Sequence, residues 1–451
     1  MKHQSRYRWL LVAVVAVILL GPLPYWLSGI GQSAAGLSAE VTQRPDGTLV
    51  SSPKAEALHS LGLPMGVERL FLYPLLLFCL QASGGALALR RWLDRRVEGM
   101  RLPSAVGRAV AWLGRRIPAA WRERVTGRDL VVILFFVIIL DLALAVLYLP
   151  FNFYGDFILG HQFGLSRQAV PGWASDWTKS LLIQMVTDGV LWTGFYALLR
   201  LLPRRWPIPT GAAMFLLSGV FTLLTPIIIT PLFYEIRPLD DPSLRARIVA
   251  LAERAGMHVD AIYVINASSK TVEVNAYFTG FGGVQRIVLY DTLLTDYTSD
   301  QIEVVLAHEM GHWYHRHVLI GLLGYGAAAW IGLFGLRWLL QRVWQPLGLS
   351  GPADVAGLPY LLAVLAVVTT LALPVQNGLS RIAEGQADRF ALTITHKPET
   401  FITLFEKFAV QNLSMVDAPA WEKFVFYTHP AIAERIRMAE DFQKQMGQQL
   451  P

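Results

Sequence analysis

The sequence predicts a mainly α-helical, polytopic membrane protein in which seven membrane-crossing helices are joined to a small polar α+β region. Charged residues make up only 16% of the 451-residue chain, against roughly 25% in an ordinary soluble domain. Hydrophobic residues reach 54% and the mean hydropathy is +0.42. The apolar residues are gathered into blocks long enough to cross a ~30 Å hydrocarbon core as helices of about 20 residues. Disordered, fibrous and ordinary cytosolic proteins are excluded by this composition. The lone cysteine, Cys79, excludes an intrachain disulfide framework and any cysteine-built metal site. Its apolar neighbours mark it as a small core hydrophobe.

Seven stretches have the required length: Leu10–Ile30, Leu70–Leu89, Leu130–Phe151, Leu181–Leu202, Ala212–Phe233, Val318–Leu340 and Leu358–Ser380. The first has some features of a signal peptide, since Lys2, Arg6 and Arg8 precede it and Ser33-Ala34-Ala35 follows. Its apolar run exceeds the ~7–15 residues of a signal core, and Pro22 and Pro24 come well before the small-residue site, so a retained anchor is expected.

Two polar regions are long enough to fold outside the membrane, Asp240–His317 and Arg381–Pro451. The first opens with a helical pattern, Pro242–Ala255, closed by Gly256. The β-rich runs Ala261–Ile265 and Arg286–Tyr290 flank Val272–Phe278, which runs into Gly280, Gly282 and Gly283. Asp300 is then the expected N-cap of a helix over Gln301–His317, with Glu303 at the capping-box position. The expected organisation is a membrane region 1–239 with five spans, a polar region 240–317, a sixth and seventh span in 318–380, and a C-terminal polar region 381–451.

Arginine sorts the connections. Arg90–Asp129 carries eleven arginines against four acidic residues. Lys2, Arg6 and Arg8, then Arg200, Arg204 and Arg205, and then Arg342 lie on the same face, whereas the opposite short loops hold only Arg44, Lys54, Arg69, Arg167 and Lys179. The positive-inside rule places the N-terminus in the cytoplasm. Seven crossings then leave both polar regions on the extracytoplasmic face of a cell inner (plasma) membrane. The alternative, a nucleic-acid patch over Arg90–Asp129, has only Trp92, Trp112 and Trp121 for base stacking, so no nucleic-acid partner is expected.

The sharpest local signal is His308-Glu309-Met310-Gly311-His312. Residues four apart on a helix stand on the same face. Two imidazoles there can reach one Zn²⁺ ion at ~2.0–2.1 Å, with Glu309 toward its open side as a general base. An accidental match to this motif is expected in roughly one chain in a hundred of this composition, and the alternative is a chance motif on a structural helix. Hydrolytic zinc sites take three protein ligands, and Glu384 is the candidate third. It begins Glu384-Gly-Gln-Ala-Asp388 directly after the seventh apolar stretch. Glu384 can ligate zinc while Asp388, four residues on, accepts the free N–H of a liganding imidazole. Taken alone, such a pair is more commonly a solvated helix face.

These motifs sit in a specific series: Pro231-Leu-Phe233 with Pro238-Leu239, Val274-Asn-Ala-Tyr-Phe278 with Gly280, and Arg286-Ile-Val-Leu289 with Asp291-Thr-Leu-Leu294. His308–Trp313, Gln386-Ala-Asp388, and Tyr427-Thr-His-Pro430 with Glu434-Arg435 complete it. With them the chain resembles, over nearly its whole length, the integral-membrane zinc peptidases of the CAAX prenyl protease 1 family. The resemblance implies seven helices enclosing a large intramembrane chamber, with a small α+β zincin-like catalytic region at one end. It also implies that Asn275 lies on an edge strand that pairs with substrate backbone, that His429 stabilises the oxyanion, and that Arg435 braces the region through an ion pair. Without it, Asn275 reads as a turn residue, His429 as a helix-start residue before Pro430, and Arg435 as a solvated surface arginine. His317 matches a structural position of the family and His315 does not. Asp141 and Asp188 fall in apolar spans, where an acid costs ~2.5–3.5 kcal/mol unless it faces protein or water; a chamber wall accommodates them.

The expected activity is that of a membrane-embedded zinc metalloendopeptidase holding one Zn²⁺ per chain. The expected partners are a polypeptide substrate and the lipid bilayer. Eukaryotic members of the resembled family face the cytosol, whereas the arginine distribution here points the site outward. Membrane-associated or extracytoplasmic polypeptides are therefore the expected substrates. The alternatives are cytosol-facing processing of prenylated CAAX C-termini and a non-enzymatic membrane scaffold or transport chamber.

Overall fold

The computed structural model describes residues 2–27, 34–45, 47–98, 124–281 and 284–449. Ser33 of the small-residue site, the 99–123 part of the arginine-rich connection with Trp112 and Trp121, and Gly282 and Gly283 lie outside the described residues.

Among the described residues, seven helices are long and apolar enough to span a bilayer: Tyr7–Tyr25, Pro53–Ala82, Gly127–Gln162, Val170–Leu201, Pro207–Phe233, His317–Val343 and Val355–Thr395. The second lies upstream of its predicted stretch, because a turn at Ser83 and Gly84, whose φ is +78°, ends it. The amphipathic helix Gly85–Glu98 follows. The fourth begins before its predicted start and takes in Asp176 and Lys179. The seventh runs past Ser380 as one helix, Leu358–Thr395. Large apolar side chains such as Val186, Ile331 and Leu371 point outward, whereas Gln81, Asp141 and Asn377 are buried. That distribution inverts the soluble pattern and suits hydrocarbon outside and polar groups inside. Cavities of about 530 and 440 Å³ lie among these helices, with Arg69 in the wall of both. Asp141 and Asp188 line the second.

The connections assigned to one face by their arginines meet at one end of the molecule. Arg200 Nη1 lies 2.6 Å from Asp129 Oδ1, Arg128 Nη2 donates to the Asp94 carbonyl at 3.0 Å, and Arg200 Nε donates to the Ala353 carbonyl at 3.4 Å. The short hairpin Thr42–Gln43/Leu49–Val50 leads instead toward the C-terminal polar region. There Ser51 Oγ accepts the Val416 N–H at 2.9 Å, and His59 Nε2 lies 3.2 Å from Glu422 Oε2.

Beyond the fifth span the chain forms a four-stranded sheet. Its strands are β1 (Ile236–Pro238), β2 (Ala261–Ile265), β3 (Ala276–Phe281) and β4 (Val284–Tyr290), in the order β1-β2-β4-β3. β2 and β4 are parallel and the other pairs antiparallel. Alternate residues Ile262, Val264, Ile287 and Leu289 enter the core, as the period of a strand requires. They pack with Leu244, Ile248 and Leu251 from the helix Pro242–Arg254, spaced to share one helical face. β3 lies at the sheet edge.

The motif helix runs Ser299–Tyr314. Thr298, not Asp300, is its N-cap, and Gln301 completes the capping box. A hydroxyl two residues earlier accepts the Gln301 N–H instead, which leaves Asp300 and Glu303 for ion pairing. Glu303 Oε1 accepts from Arg247 Nε at 2.6 Å, and Glu303 Oε2 from Lys397 Nζ at 2.6 Å. Asp300 accepts from both cations. This cluster ties the motif helix to its two neighbours. The predicted continuation through His317 breaks at Arg316, whose φ is +57°. The sixth span starts afresh at His317.

Candidate active site

The motif helix and the seventh-span helix cross where Gly311 meets Ala387. A Cβ on Gly311 would lie 2.8 Å from Ala387 Cα and 3.1 Å from its carbonyl oxygen, so only glycine permits this approach. Three residues before Ala387 is Glu384, and Asp388 follows it directly. One turn of each helix is thereby brought face to face.

His308, His312 and Glu384 converge at this crossing. His308 Nε2 lies 3.2 Å from His312 Nε2 and 3.2 Å from Glu384 Oε2. His312 Nε2 is 3.4 Å from Glu384 Oε1. Ligands held at ~2.0–2.1 Å around a tetrahedral zinc are about 3.3 Å apart, and the two Nε2 atoms lie at that spacing from each other and each from one oxygen of the Glu384 carboxylate. Glu384 is buried, and its Oε2 makes no hydrogen bond among the described residues. The three residues therefore fit a bound zinc ion.

Supporting contacts orient the first imidazole. His308 Nδ1 donates to Asp388 Oδ1 at 2.8 Å. Asp388 is fully buried and also accepts from Arg435, at 2.8 Å from Nε and through Nη2. The Arg435 guanidinium lies over the Phe405 ring, 4.0 Å from its centroid. Burial acts to lower the His308 pKa, but the Asp388 and Glu384 carboxylates raise it to about 9. The pocket thus favours a cation at Nε2, proton or metal. Burial, reinforced by His308, lowers His312 to about 4, so that ring is neutral and free to offer a lone pair. Glu309 is half-buried, and burial pushes its carboxyl up to about 7, a value suited to proton transfer near neutral pH.

His429 is exposed, with Nε2 3.4 Å from Glu384 Oε1 and Nδ1 2.8 Å from Thr428 Oγ1. It stands in a loop fastened by two residues to which sequence reading gave no role. Asn377 Nδ2 donates to the Val425 carbonyl at 2.6 Å, and Arg381 Nη1 donates to the carbonyls of Lys423 at 2.7 Å and Tyr427 at 2.5 Å. Both lie on the seventh-span helix, and the spacing 377, 381, 384, 388 marks one face of it, a signal available in the sequence. Asn275 immediately precedes edge strand β3. Its Oδ1 accepts the Ala276 N–H at 2.8 Å and its carbonyl accepts the Tyr290 N–H at 3.0 Å. No hydrogen bond joins it to His308, His312 or Glu384. His317, whose position the resemblance marked as structural, and Gln386, to which sequence reading gave no role of its own, contact the site on the His312 side: His317 Nδ1 is 2.9 Å from His312 Nδ1.

A histidine pair and a carboxylate on crossed helices, within a seven-span chain, form the arrangement of a membrane metallopeptidase. Sequence and structure comparisons agree. A family model described as peptidase family M48 matches residues 238–443, and one described as the CAAX prenyl protease N-terminal region, five membrane helices, matches residues 104–235. The chain is 29% identical over 448 residues to the uncharacterized metalloprotease YhfN of Bacillus subtilis (strain 168), covering 96% of each. It is 28% identical over 313 residues to CAAX prenyl protease 1 of Saccharomyces cerevisiae, covering 64% of this chain and 67% of that one. The crystal structure of S. mikatae Ste24p shares its fold, with a TM-score of 0.66 at 22% identity and coverage of 94% of this chain and 97% of that one. The chain belongs to peptidase family M48 and is a membrane metalloprotease related to CAAX prenyl protease 1.

Proposed function

We propose that the protein is a zinc metalloendopeptidase with one ion held by His308, His312 and Glu384. The observation that carries this reading is the convergence of the two Nε2 atoms and the Glu384 carboxylate at 3.2–3.4 Å. Zinc held there supplies Lewis-acid polarisation of a water and of the scissile carbonyl. Glu309 takes the proton of the attacking water and passes it to the leaving amine. His429 donates to the developing oxyanion. Asp388 and Arg435 keep the His308 ring in its orientation. The open edge of β3, with Asn275 at its start, aligns an extended peptide through backbone hydrogen bonds. In this reading residues 240–317 and 381–451 supply the catalytic part, and residues 1–239 and 318–380 the membrane enclosure.

Arginine distribution favours a site on the extracytoplasmic face of a cell inner (plasma) membrane, with membrane-associated or extracytoplasmic polypeptides as substrates. Likeness to proteins named CAAX prenyl protease 1 favours a second reading, cytosolic processing of prenylated C-termini. Fusions after Pro451 separate the two. Active alkaline phosphatase with a dark fluorescent-protein fusion supports the outward site, and the reverse pattern supports the cytosolic one. Glu309→Gln is expected to retain zinc and lose peptide cleavage. Substantial residual turnover would refute the mechanism, whereas a cellular function unchanged in Glu309→Gln despite lost cleavage would favour a non-enzymatic chamber.

A further inference from the structure

We infer that His317 and Gln386 are positioning residues that hold His312 with its Nε2 lone pair turned toward the ligand cluster. This inference rests on the reading that His308, His312 and Glu384 hold the metal. A liganding imidazole presents one bare nitrogen and carries its proton on the other, so the partner of that second nitrogen selects the tautomer. Asp388 does this for His308. His312 has no carboxylate at Nδ1; it faces His317 Nδ1 at 2.9 Å. Two neutral imidazole nitrogens at that distance share one proton, one donating and the other accepting. The remaining nitrogen of His317, Nε2, lies 2.8 Å from Gln386 Oε1, and an amide oxygen only accepts. His317 therefore carries its proton on Nε2, its Nδ1 accepts, and His312 Nδ1–H donates. His312 Nε2 is left bare, facing Glu384 Oε1 at 3.4 Å.

The backbone is shaped for this contact. In a continuous helix residue 317 would stand about 140° around the axis from residue 312, away from its ring. The left-handed residue Arg316, φ +57°, breaks the helix and returns His317 to His312. His315 stacks on His317, with ring planes 16° apart. Gln386 comes from the same helix as Glu384, so the ligand carboxylate and the tautomer support arrive on one element.

The test is a zinc titration of the full-length protein, purified in detergent and stripped of metal, against a chromogenic chelator. His317→Phe keeps a ring and removes the acceptor; zinc binding about 10–100-fold weaker is expected. His317→Asn places Oδ1 where Nδ1 stood and is expected to recover most of the loss, which a purely packing role for the ring would not allow. Gln386 is exposed, so its variants test the same chain of bonds without threatening the fold. Gln386→Leu is expected to weaken zinc binding, and Gln386→Glu, an acceptor only, to preserve it. Wild-type affinity in His317→Phe, or equal losses in Gln386→Glu and Gln386→Leu, overturns the inference. Glu384→Ala in the same titration separates the two levels. Zinc retained there refutes the ligand set itself. Zinc lost there but retained in His317→Phe and Gln386→Leu refutes only the positioning roles.

Discussion

Replacing Gly311 by alanine tests the contact that assembles the site. The added Cβ would lie 2.8 Å from Ala387 Cα, 3.1 Å from Ala387 O and 3.2 Å from Phe390 Cβ. Carbon atoms pack at about 3.5–4.0 Å, so the two helices must part by roughly 0.7 Å. Ala387 is fully buried within a long helix, and its backbone has no rotamer with which to yield. Overpacking of this kind costs about 1–3 kcal/mol, offset by about 1 kcal/mol because alanine is the better helix former. The net loss of stability is therefore small, about 0–2 kcal/mol. The metal site responds more strongly, since the separations between Glu384 and the two imidazoles open from 3.2 and 3.4 Å to about 4 Å, past the ~3.3 Å edge of a zinc tetrahedron. Zinc affinity is expected to fall at least 10–100-fold, the range seen when ligand orientation alone is disturbed. Competition with a chelator measures it, and thermal unfolding of the metal-free protein measures the stability term. Gly385→Ala is the control. Its Cβ would meet only the flexible Met438 tip at 3.9 Å, so unchanged zinc affinity and up to about 1 kcal/mol of added stability are expected. Wild-type zinc affinity in Gly311→Ala would refute the view that close helix approach builds the site.

Other perturbations have equally direct readouts. Asp388→Asn leaves the Arg435 charge buried and weakens the hold on His308. A loss of about 3 kcal/mol or more, with zinc binding about 10–100-fold weaker, is expected by thermal unfolding and zinc titration; a stable variant with intact affinity would contradict the role. Arg381→Ala frees the loop that carries His429, so kcat should fall about 100-fold while zinc affinity holds; unaltered kcat would separate His429 from catalysis. Glu303→Gln tests the ion cluster on the motif helix. Burial acts to raise the Glu303 pKa, but Arg247 and Lys397 outweigh it and hold the pKa below the ordinary value of 4.5. The stability it contributes is fully present above pH 4.5 and lost as pH falls through the folded-state value. The stability gap between Glu303→Gln and wild type, about 1–2 kcal/mol after allowing for the partly exposed cations, should therefore close on acidification below that pH. A pH-independent gap would show that the contribution is packing.

Much of the protein was legible in one dimension because the governing physics is local. Membrane insertion depends on runs of apolar residues, so seven spans could be read from hydropathy, although a turn at Ser83 and Gly84 ends the second earlier and Asp176 and Lys179 hide the start of the fourth. His308, Glu309 and His312 were legible because helical periodicity brings residues four apart to one face. Glu384 and Asp388 were legible for the same reason, as a spaced carboxylate pair beside an apolar stretch. The cap of the motif helix sits two positions earlier than the sequence reading placed it, because Thr298 and Asp300 are both competent caps and only the ion cluster decides between them.

What the tertiary structure alone decided are the contacts between distant segments. The need for glycine at 311 comes from Ala387, which belongs to another helix. Asn377 and Arg381 act on the carbonyls of Val425, Lys423 and Tyr427, and since every residue carries a carbonyl, no side-chain pattern announces such a partner. The left-handed turn at Arg316 is unmarked by glycine or asparagine, so the sequence reads as an unbroken helix to His317. The break is held by what it brings together, a membrane span and the His312 ring. By itself the sequence determined which residues are available to bind a metal and which segments enter the membrane. Their distances and the ring orientations they share were settled only by helix packing, because close approach between chain segments is a property of shape rather than of spacing.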